Sequence, residues 1–260
     1  MKVWRSLDTG AMDGPLNMGI DQALLQLHVR GESPPTLRFY QWEPPAVSLG
    51  YFQKRQDIDP LMCRSLGIDI VRRPTGGRAV LHQNDLTYSL IAGGTEGIPS
   101  TVTDAYRLVC KGLFAGFSLM GIEPEPGRES LKSPLPDVCF LRFGIGDIVH
   151  QGKKFVGSAQ TWISSSMLQH GSIILEPQVE AWADLLKTNG ETRNEIMKRL
   201  GSRITSLNEI LGRTVDCGEL KDALKEGMAQ TLGIRFEDGS LTQEEWILAR
   251  QIAVGQQGSA

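Results

Sequence analysis

The amino-acid sequence predicts an α+β protein with a mixed, mostly antiparallel sheet that is flanked by helices and followed by a helical C-terminal extension. Three short β-favouring runs, residues 68–73, 79–82 and 86–91, follow one another at turn spacing, which is typical of antiparallel strands. Segments whose apolar residues recur at helical spacing lie before and after these runs. With 260 residues and 40% hydrophobic content, the chain can bury one sizeable core.

The first half of the chain begins with a predicted helix over residues 16–29. Its apolar residues recur at helical spacing, and the polar Asp21, Gln22 and Gln26 fall between them. The tripeptide Glu43-Pro44-Pro45 is a turn signal between two strand-like runs. The elements predicted after the first helix are two strands and a short helix, at residues 36–40, 46–51 and 60–66.

The second half is predicted to be richer in helices. Thr103 or Asp104 can cap a helix that ends near Gly121. Cys110 lies in or beside the apolar stripe of this helix, so we interpret it as a packed core thiol. Residues 124–136, rich in Pro, Ser and charge, predict a surface loop. The remaining predicted elements are strands at 154–159 and 171–175 and helices at 179–186, 191–200, 217–232 and 243–254.

Charge and composition exclude several classes of function. The net charge of −3 and the pI near 5.9 argue against a general nucleic-acid binder. The chain has no apolar run of membrane-spanning length and no signal-peptide pattern at its N-terminus, so we expect a cytoplasmic protein without a membrane partner. The four cysteines form no C-x-x-C pair, which argues against a zinc site or a disulfide framework, and we expect no metal site.

A glycine turn carries the first residues suited to chemistry. Arg72 and Arg73 precede Gly76 and Gly77 by a few residues. Glycines let the backbone approach a ligand closely, and arginines offer paired donors to a carboxylate or a phosphate. Without further evidence, such glycines are more often a plain turn, and such arginines are more often solvated or ion-paired.

A second segment places two lysines in a predicted strand. Strand alternation directs one of Lys153 and Lys154 inward, and an inward lysine is costly unless it meets an anion or a polar substrate. The alternative is that both lysines face water. His82 and His170 each lie in or beside an apolar run, where a hydrogen-bonded structural role is more common than metal ligation.

Cys139 lies at the far end of the predicted surface loop. A thiol near a lysine ammonium is favoured as the thiolate, which is the nucleophile for thioester exchange. From spacing alone, a buried inert cysteine is the more common outcome.

These segments resemble a known family. Residues 72–82 (RRPTGGRAVLH) resemble the arginine-glycine signature, and residues 152–160 (GKKFVGSAQ) the lysine signature, of the lipoate branch of the biotin and lipoate protein ligase superfamily. Residues 168–175 (LQHGSIIL) continue the agreement, which spans most of the chain. The resemblance implies a single catalytic domain over residues 1–260, with a core of about 1–188 and an extension of about 189–260. A separate small C-terminal domain is the alternative.

Two activities compete within this branch. Lipoate-protein ligases activate lipoate with ATP, whereas octanoyltransferases take octanoate from acyl carrier protein through an acyl-cysteine. The position of Cys139, fifteen residues before Lys154, resembles the LipM type of octanoyltransferase from Gram-positive bacteria. Arg78 in place of a third glycine, and a chain too short for the full accessory domain of many ligases, favour the same type. Asp147 departs from it, because the resemblance implies Glu at this position in the transferases, and Asp is the usual residue there in the ligases. A related amidotransferase also uses a cysteine, but its glycine loop differs.

The resemblance implies that Cys139 and Lys154 are catalytic. The Cys139 thiolate would attack the octanoyl thioester, Lys154 would stabilise the oxyanion, and a lysine of a lipoyl domain, such as that of glycine cleavage H protein, would accept the chain. The implied substrate-binding residues are Arg72, Arg73, Gly76, Gly77, Arg78, His82, Gly157, Ser158, Ala159 and His170.

The implied partners are proteins. Acyl carrier protein would meet a basic patch, and we expect a monomer that needs no cofactor. The ligase alternative would require ATP, Mg and lipoate, and a non-catalytic lipoyl-domain binding module is a third hypothesis. The residues expected in the patch are Arg72, Arg73, Arg78, Lys132 and Lys153.

Overall fold

The structure, a computed structural model, describes residues 1–54, 58–127, 144, 146–187 and 190–257. Within these ranges the strands are β1 (Lys2–Met12), β2 (Thr36–Trp42), β3 (Ala46–Leu49), β4 (Asp69–Arg72), β5 (Val80–His82), β6 (Asp85–Gly93), β7 (Glu125–Pro126), β8 (Ile148–His150), β9 (Lys153–Ile163), β10 (Ser166–Ile174) and β11 (Ile234–Asp238). The helices are α1 (Gly14–Arg30), α2 (Pro60–Ser65), α3 (Val102–Leu119), α4 (Val179–Leu185), α5 (Arg193–Gly201), α6 (Leu207–Leu211), α7 (Cys217–Leu232) and α8 (Gln243–Gln257).

The described strands form two sheets. The larger has the order β11-β1-β2-β6-β10-β9-β8-β7, and the smaller has the order β4-β3-β5. The pairs β11/β1, β1/β2 and β3/β4 are parallel, and the other neighbouring pairs are antiparallel. The mixed, mostly antiparallel sheet and its flanking helices confirm the predicted fold class.

Helices cover both faces of the larger sheet. Leu90 belongs to the apolar cluster beneath α3, and the next residue, Ile91, belongs to the cluster beneath α1. Successive strand residues point to opposite faces, so α1 and α3 lie on opposite sides of the sheet. Behind them, α8 packs on α1 and α7 packs on α3. A further cluster joins the smaller sheet to α2, α4 and α5.

Helix α1 begins and ends at well-defined caps. The Asp13 side chain accepts a hydrogen bond from the Leu16 backbone N–H, and Gly31 closes the helix with a φ of +75°. Asn17 and Asp21 lie on its buried face, and both are fully buried. The polar residues of α1 thus do not all face water, since Asp21 points into the protein.

The C-terminal part is largely helical, as predicted, but it also contributes β11 to the larger sheet. β11 pairs in parallel with β1, and neither strand was predicted. The register of β1 shifts between Asp8 and Ala11, and Gly10 there has a φ of +66°, so its sequence lacks the alternation of a regular strand. Residues 128–136 of the predicted surface loop lie outside the described residues.

A tight hairpin positions the two lysines of β9. Gln151 and Gly152 connect β8 to β9 with φ values of +49° and +77°, the pattern of a two-residue type I′ turn. Lys153, the first strand residue, is exposed, whereas Lys154 is fully buried. The prediction that one lysine points inward is therefore confirmed.

Candidate active site

A cleft of about 360 Å³, counting space open to solvent, lies between the two sheets and α1. Many of the residues in its wall are polar, but the surface that they expose to the cleft is mostly apolar. The lining residues are Met18, Tyr40, Trp42, Ser48, Arg73, Val80, His82, Thr87, Gly157, Ser158, Ala159, His170, Gly171 and Ser172.

One row of paired residues forms the floor of this cleft. Gly157 pairs with Ser172, Ser172 with Thr87, and Thr87 with Tyr40, so the row crosses β9, β10, β6 and β2. Neighbouring strands lie about 4.8 Å apart, so the row spans roughly 14 Å. Ala159, two residues after Gly157 on β9, is half-buried, whereas Tyr40 is 1% exposed. The cleft is therefore more open at β9 and closed at β2.

A buried carboxylate lies under one side of the cleft. Asp21 accepts hydrogen bonds from Arg38 (2.7 Å), Ser89 (2.8 Å) and Tyr40 (2.9 Å), and lies 3.0 Å from His170 Nδ1. Burial alone would raise the pKa of the Asp21 carboxyl, but Arg38 and the hydrogen bonds from His170 and Ser89 outweigh it, so the pKa lies below its ordinary value. Asp21 therefore stays ionised.

His170 connects this carboxylate to the glycine turn. Burial lowers the pKa of the His170 imidazole, and Asp21 only partly opposes this effect. The ring is therefore neutral near pH 7, with its hydrogen on Nδ1 facing Asp21. Its Nε2 then accepts a hydrogen bond from the Thr75 hydroxyl, 2.7 Å away. Thr75, in the turn, is fully buried, so this contact fixes the turn against β10.

A second buried carboxylate, Asp85, lies under the other side of the cleft. Its Oδ2 accepts hydrogen bonds from the hydroxyls of Ser172 (2.6 Å) and Thr87 (3.2 Å), and lies 2.9 Å from His82 Nδ1. All three of these neighbours line the cleft. The carboxylate therefore draws their polar hydrogens away from the cavity.

The ring of His82 is fixed on its remaining sides as well. Its Nε2 lies 2.8 Å from Ser48 Oγ, and the ring stacks on Trp42 at a centroid distance of 3.9 Å and an angle of 15°. The indole N–H of Trp42 donates to Thr87 Oγ1 at 2.8 Å. These contacts leave mainly carbon facing the cavity at this end.

The buried Lys154 forms an ion pair with Asp147, with 2.8 Å between Nζ and Oδ1. Burial raises the pKa of the Asp147 carboxyl, while Lys154 and the backbone N–H groups of Gly144 and Ser158 act in the opposite direction. Ser158 lines the cleft, so the Asp147 carboxyl links the Lys154 ammonium to a residue of the cleft wall.

The glycine turn is packed closely against the loop after β3. A Cβ at Gly50 would collide with the carbonyl group of Gly77, whose φ of +94° also favours glycine. Arg73 donates to the carbonyl oxygens of Ser48 (2.8 Å), Gly76 (2.9 Å) and Arg78 (2.7 Å). The two arginines before the turn therefore stabilise its backbone, since Arg72 also donates to carbonyl groups of the neighbouring loop.

The structure brings six of the ten expected substrate-binding residues into the cleft wall. They are Arg73, His82, Gly157, Ser158, Ala159 and His170. The other four, Arg72, Gly76, Gly77 and Arg78, lie in the glycine turn and beside it, but do not line the cleft. Cys139 lies outside the described residues, so its position relative to Lys154 stays a prediction.

The expected basic patch does not form one exposed surface. Arg73 is only 4% exposed, and Arg72 is half-buried with its guanidinium on carbonyl oxygens. Lys132 lies outside the described residues. Lys153 is exposed and Arg78 is half-buried. The expected patch was wrong because a guanidinium can bind backbone carbonyl groups inside a turn as readily as it meets a partner in solvent.

The two carboxylates that organise the cleft, Asp21 and Asp85, were not predicted from the sequence. The sequence held one indication of a buried Asp21. Asn17 and Asp21 are four residues apart, so they lie on the same face of α1 as the apolar Ile20 and Leu24. Asp85 directly follows a turn and carries no comparable signal.

The other cysteines are poor nucleophiles. Burial, with a smaller effect of Asp147, raises the pKa of the Cys110 thiol to about 12, and burial with Asp59 raises that of Cys63 to about 11. Cys110 is thus a packed thiol, as predicted. Among the described residues, no group of three His, Cys, Asp or Glu side chains is arranged to bind a metal. None of the helices in the described ranges is both long and apolar enough to span a bilayer.

The chain is similar in sequence to proteins of a known family. Residues 13–229 match a family model described as the lipoyl protein ligase A/B catalytic domain. A relative named octanoyltransferase LipM from Kyrpidia tusciae is 40% identical, with the match covering 97% of this chain and 95% of the relative. A protein of the same name from Bacillus subtilis is 37% identical over 97% of this chain and 94% of its own length.

A solved structure shares the fold. The bipartite lipoate protein ligase of Thermoplasma acidophilum superposes with a TM-score of 0.82, covering 98% of this chain and 93% of that one. The two sequences are 24% identical, so this likeness concerns the fold alone.

Proposed function

Because the chain belongs to the lipoyl protein ligase A/B catalytic domain family, we propose that it is an acyltransferase that moves an octanoyl group in protein lipoylation. The observation that carries this proposal is the buried Lys154 ammonium, which is paired with the same Asp147 carboxyl that the backbone N–H of the cleft residue Ser158 meets. The relatives named octanoyltransferase LipM, which match over almost the whole chain, favour octanoyl as the transferred group.

The proposed donor is octanoyl-acyl carrier protein and the proposed nucleophile is Cys139. The thiolate adds to the thioester carbonyl, the carrier's thiolate leaves, and octanoyl-Cys139 forms. The amine of a lipoyl-domain lysine then adds to this second thioester, loses a proton, and expels the Cys139 thiolate as the amide forms. Each step exchanges one acyl bond for another, so this route needs no ATP or metal.

Lys154 is proposed to stabilise the oxyanion in both steps. An ammonium that is positioned in advance and removed from water stabilises developing negative charge more strongly than a solvated one. Asp147 keeps this ammonium in place, and the Ser158 backbone N–H fixes Asp147 in turn. The acyl chain would then extend from β9 across the floor of the cleft towards Tyr40.

Mass spectrometry after incubation with octanoyl-acyl carrier protein tests the proposal. We expect an octanoyl adduct on Cys139 that disappears on addition of an apo lipoyl domain. Cys139→Ser should abolish transfer to the lipoyl domain, while Cys110→Ser, which changes a buried thiol outside the cleft, serves as the matched control.

The ATP-dependent lipoate ligase is the alternative that the same experiment addresses. Asp147 favours it in one respect, because the family resemblance implies that Asp is the usual residue at this position in ligases. Trapping of a lipoyl-adenylate with ATP, Mg and lipoate, together with undiminished lipoylation by Cys139→Ser, would replace the transferase by the ligase.

A further inference from the structure

The inner end of the cleft is built from polar residues but presents an apolar surface. Ser172, Thr87 and His82 line it, and each directs a polar atom at Asp85 Oδ2 over 2.6 to 3.2 Å. Thr87 Oγ1 also accepts from Trp42. Asp85 itself is 2% exposed and is not among the lining residues, so it acts on the cavity only through its neighbours.

We infer that Asp85 is a positioning residue that makes the inner wall of the cleft selective for hydrocarbon chains over chains with a polar terminal group. This inference rests on the proposed binding of an octanoyl chain in the cleft. The three donors that meet Asp85 are engaged by it and therefore offer nothing to a ligand. A hydroxyl that enters here loses its water and finds no free donor among these three side chains.

The floor of the cleft places the end of an eight-carbon chain next to these residues. The Lys154 ammonium lies beside Ser158 on β9, so a carbonyl group near it would begin at that strand. Thr87 on β6 is two strands away, roughly 10 Å at the usual strand spacing. An extended octanoyl chain also has a length of roughly 10 Å from ordinary single-bond geometry. Its terminal carbon therefore reaches Thr87.

The expected preference for octanoyl over a hydroxylated chain can be given as a ratio of kcat/KM values. An apolar site rejects an analogue that merely adds a hydroxyl by roughly 100-fold. The protein should therefore transfer octanoyl about 100-fold more efficiently, in kcat/KM, than 8-hydroxyoctanoyl presented on the same acyl carrier protein. Asp85→Ala leaves the donors of Ser172, Thr87 and His82 without their acceptor, and they can then bind the terminal hydroxyl. The ratio should fall to about tenfold or less.

Conservative variants separate positioning from general damage. Asp85→Asn retains an acceptor oxygen and should restore most of the 100-fold ratio that Asp85→Ala loses. Thr87→Val, which removes the acceptor of the Trp42 N–H while preserving side-chain shape, should lower the ratio, and Thr87→Ser should restore it. Thermal unfolding checks that each variant is folded. If Asp85→Ala does not fold, the ratios measured for Thr87→Val and Thr87→Ser test the selectivity of the inner wall.

The experiment combines transfer kinetics with calorimetric binding of sodium octanoate and sodium 8-hydroxyoctanoate. Equal use of both chains by the unmodified protein, or an unchanged ratio in folded Asp85→Ala and Thr87→Val, overturns the role of Asp85 while the proposed transfer activity stands. If neither chain is transferred but octanoate binds, the proposed function fails and the binding ratio alone tests Asp85. If octanoate does not bind and neither chain is transferred, both fail.

Discussion

The Nζ atom of Lys154 lies 2.8 Å from Asp147 Oδ1 in an ion pair whose side chains are 0% and 6% exposed. Two charges removed from water attract each other strongly, but each has lost its hydration, so the pair contributes little net stability. The loss of one partner is different, because the other charge is then buried alone. This asymmetry allows the structural and chemical roles of Lys154 to be measured separately.

Lys154→Met should lower the free energy of unfolding by about 3–5 kcal/mol near neutral pH, because it leaves the Asp147 carboxylate without its partner. It should also lower kcat for octanoyl transfer by about 100-fold or more through loss of oxyanion stabilisation. Chemical denaturation and transfer kinetics measure the two effects. Lys153→Met, on the exposed neighbouring residue, is the control for both.

The double variant Lys154→Met with Asp147→Asn distinguishes the two roles. It removes both charges, so most of the lost stability should return while transfer stays slow. Recovery of transfer in the double variant would show that Lys154 acts only through the fold.

The inward direction of Lys154 illustrates how far sequence reasoning reaches. Strand alternation requires one of two adjacent lysines to point inward, and the fold class follows from similar periodicities. Alternation does not identify the carboxylate that meets the lysine, because Asp147 lies on the segment before the preceding strand. Asp21 escaped notice for the same reason, because its partners Arg38, Ser89 and His170 are distant in sequence. Asp85 was missed although two of its three partners, His82 and Thr87, lie within three residues of it. β1 was missed because its sequence lacks regular alternation, whereas β11 was missed although Ile234 and Phe236 alternate with Arg235 and Glu237.

The neutral state of His170 predicts a loss of stability in acid. Burial lowers the pKa of His170 from its ordinary value of 6.5. The unfolded chain therefore binds a proton at a higher pH than the folded one. The stability contributed by the neutral ring is present above about pH 6.5. It is lost as the pH falls towards the lower pKa that His170 has in the folded protein.

His170→Asn cannot titrate in this range. Its melting temperature should be lower than that of the unmodified protein at pH 7.5, and the difference should narrow as the pH falls below about 6.5. Thermal unfolding followed by circular dichroism from pH 7.5 to pH 5 measures this. A constant difference at every pH would mean that His170 does not change its proton affinity on folding.

The contact between α7 and α3 depends on the absence of side chains. A Cβ at Gly227 would collide with the backbone of α3 at Gly112 and Gly116. Gly227→Ala should therefore lower the free energy of unfolding by about 1–3 kcal/mol, the usual cost of overpacking, despite the better helix propensity of alanine. Gly201→Ala in α5 meets no atom within 4 Å and should be neutral or slightly stabilising. Equal melting temperatures for the two variants would contradict the tight packing.

Arg72 is expected to act on the loop after β3. Its Nη1 donates to the carbonyl oxygens of Gly50 (2.7 Å), Tyr51 (3.1 Å) and Gln53 (2.8 Å). Arg72→Ala should speed amide hydrogen exchange in this loop and lower the free energy of unfolding by about 1.5–3 kcal/mol, the range for a hydrogen bond to a charged group. Lysine cannot reproduce the guanidinium geometry, so Arg72→Lys should recover only part of the protection. The exposed Arg64, on α2, provides the control variant Arg64→Ala. Unchanged exchange in Arg72→Ala, or a loss of protection spread evenly over the protein, would refute a local role for this side chain.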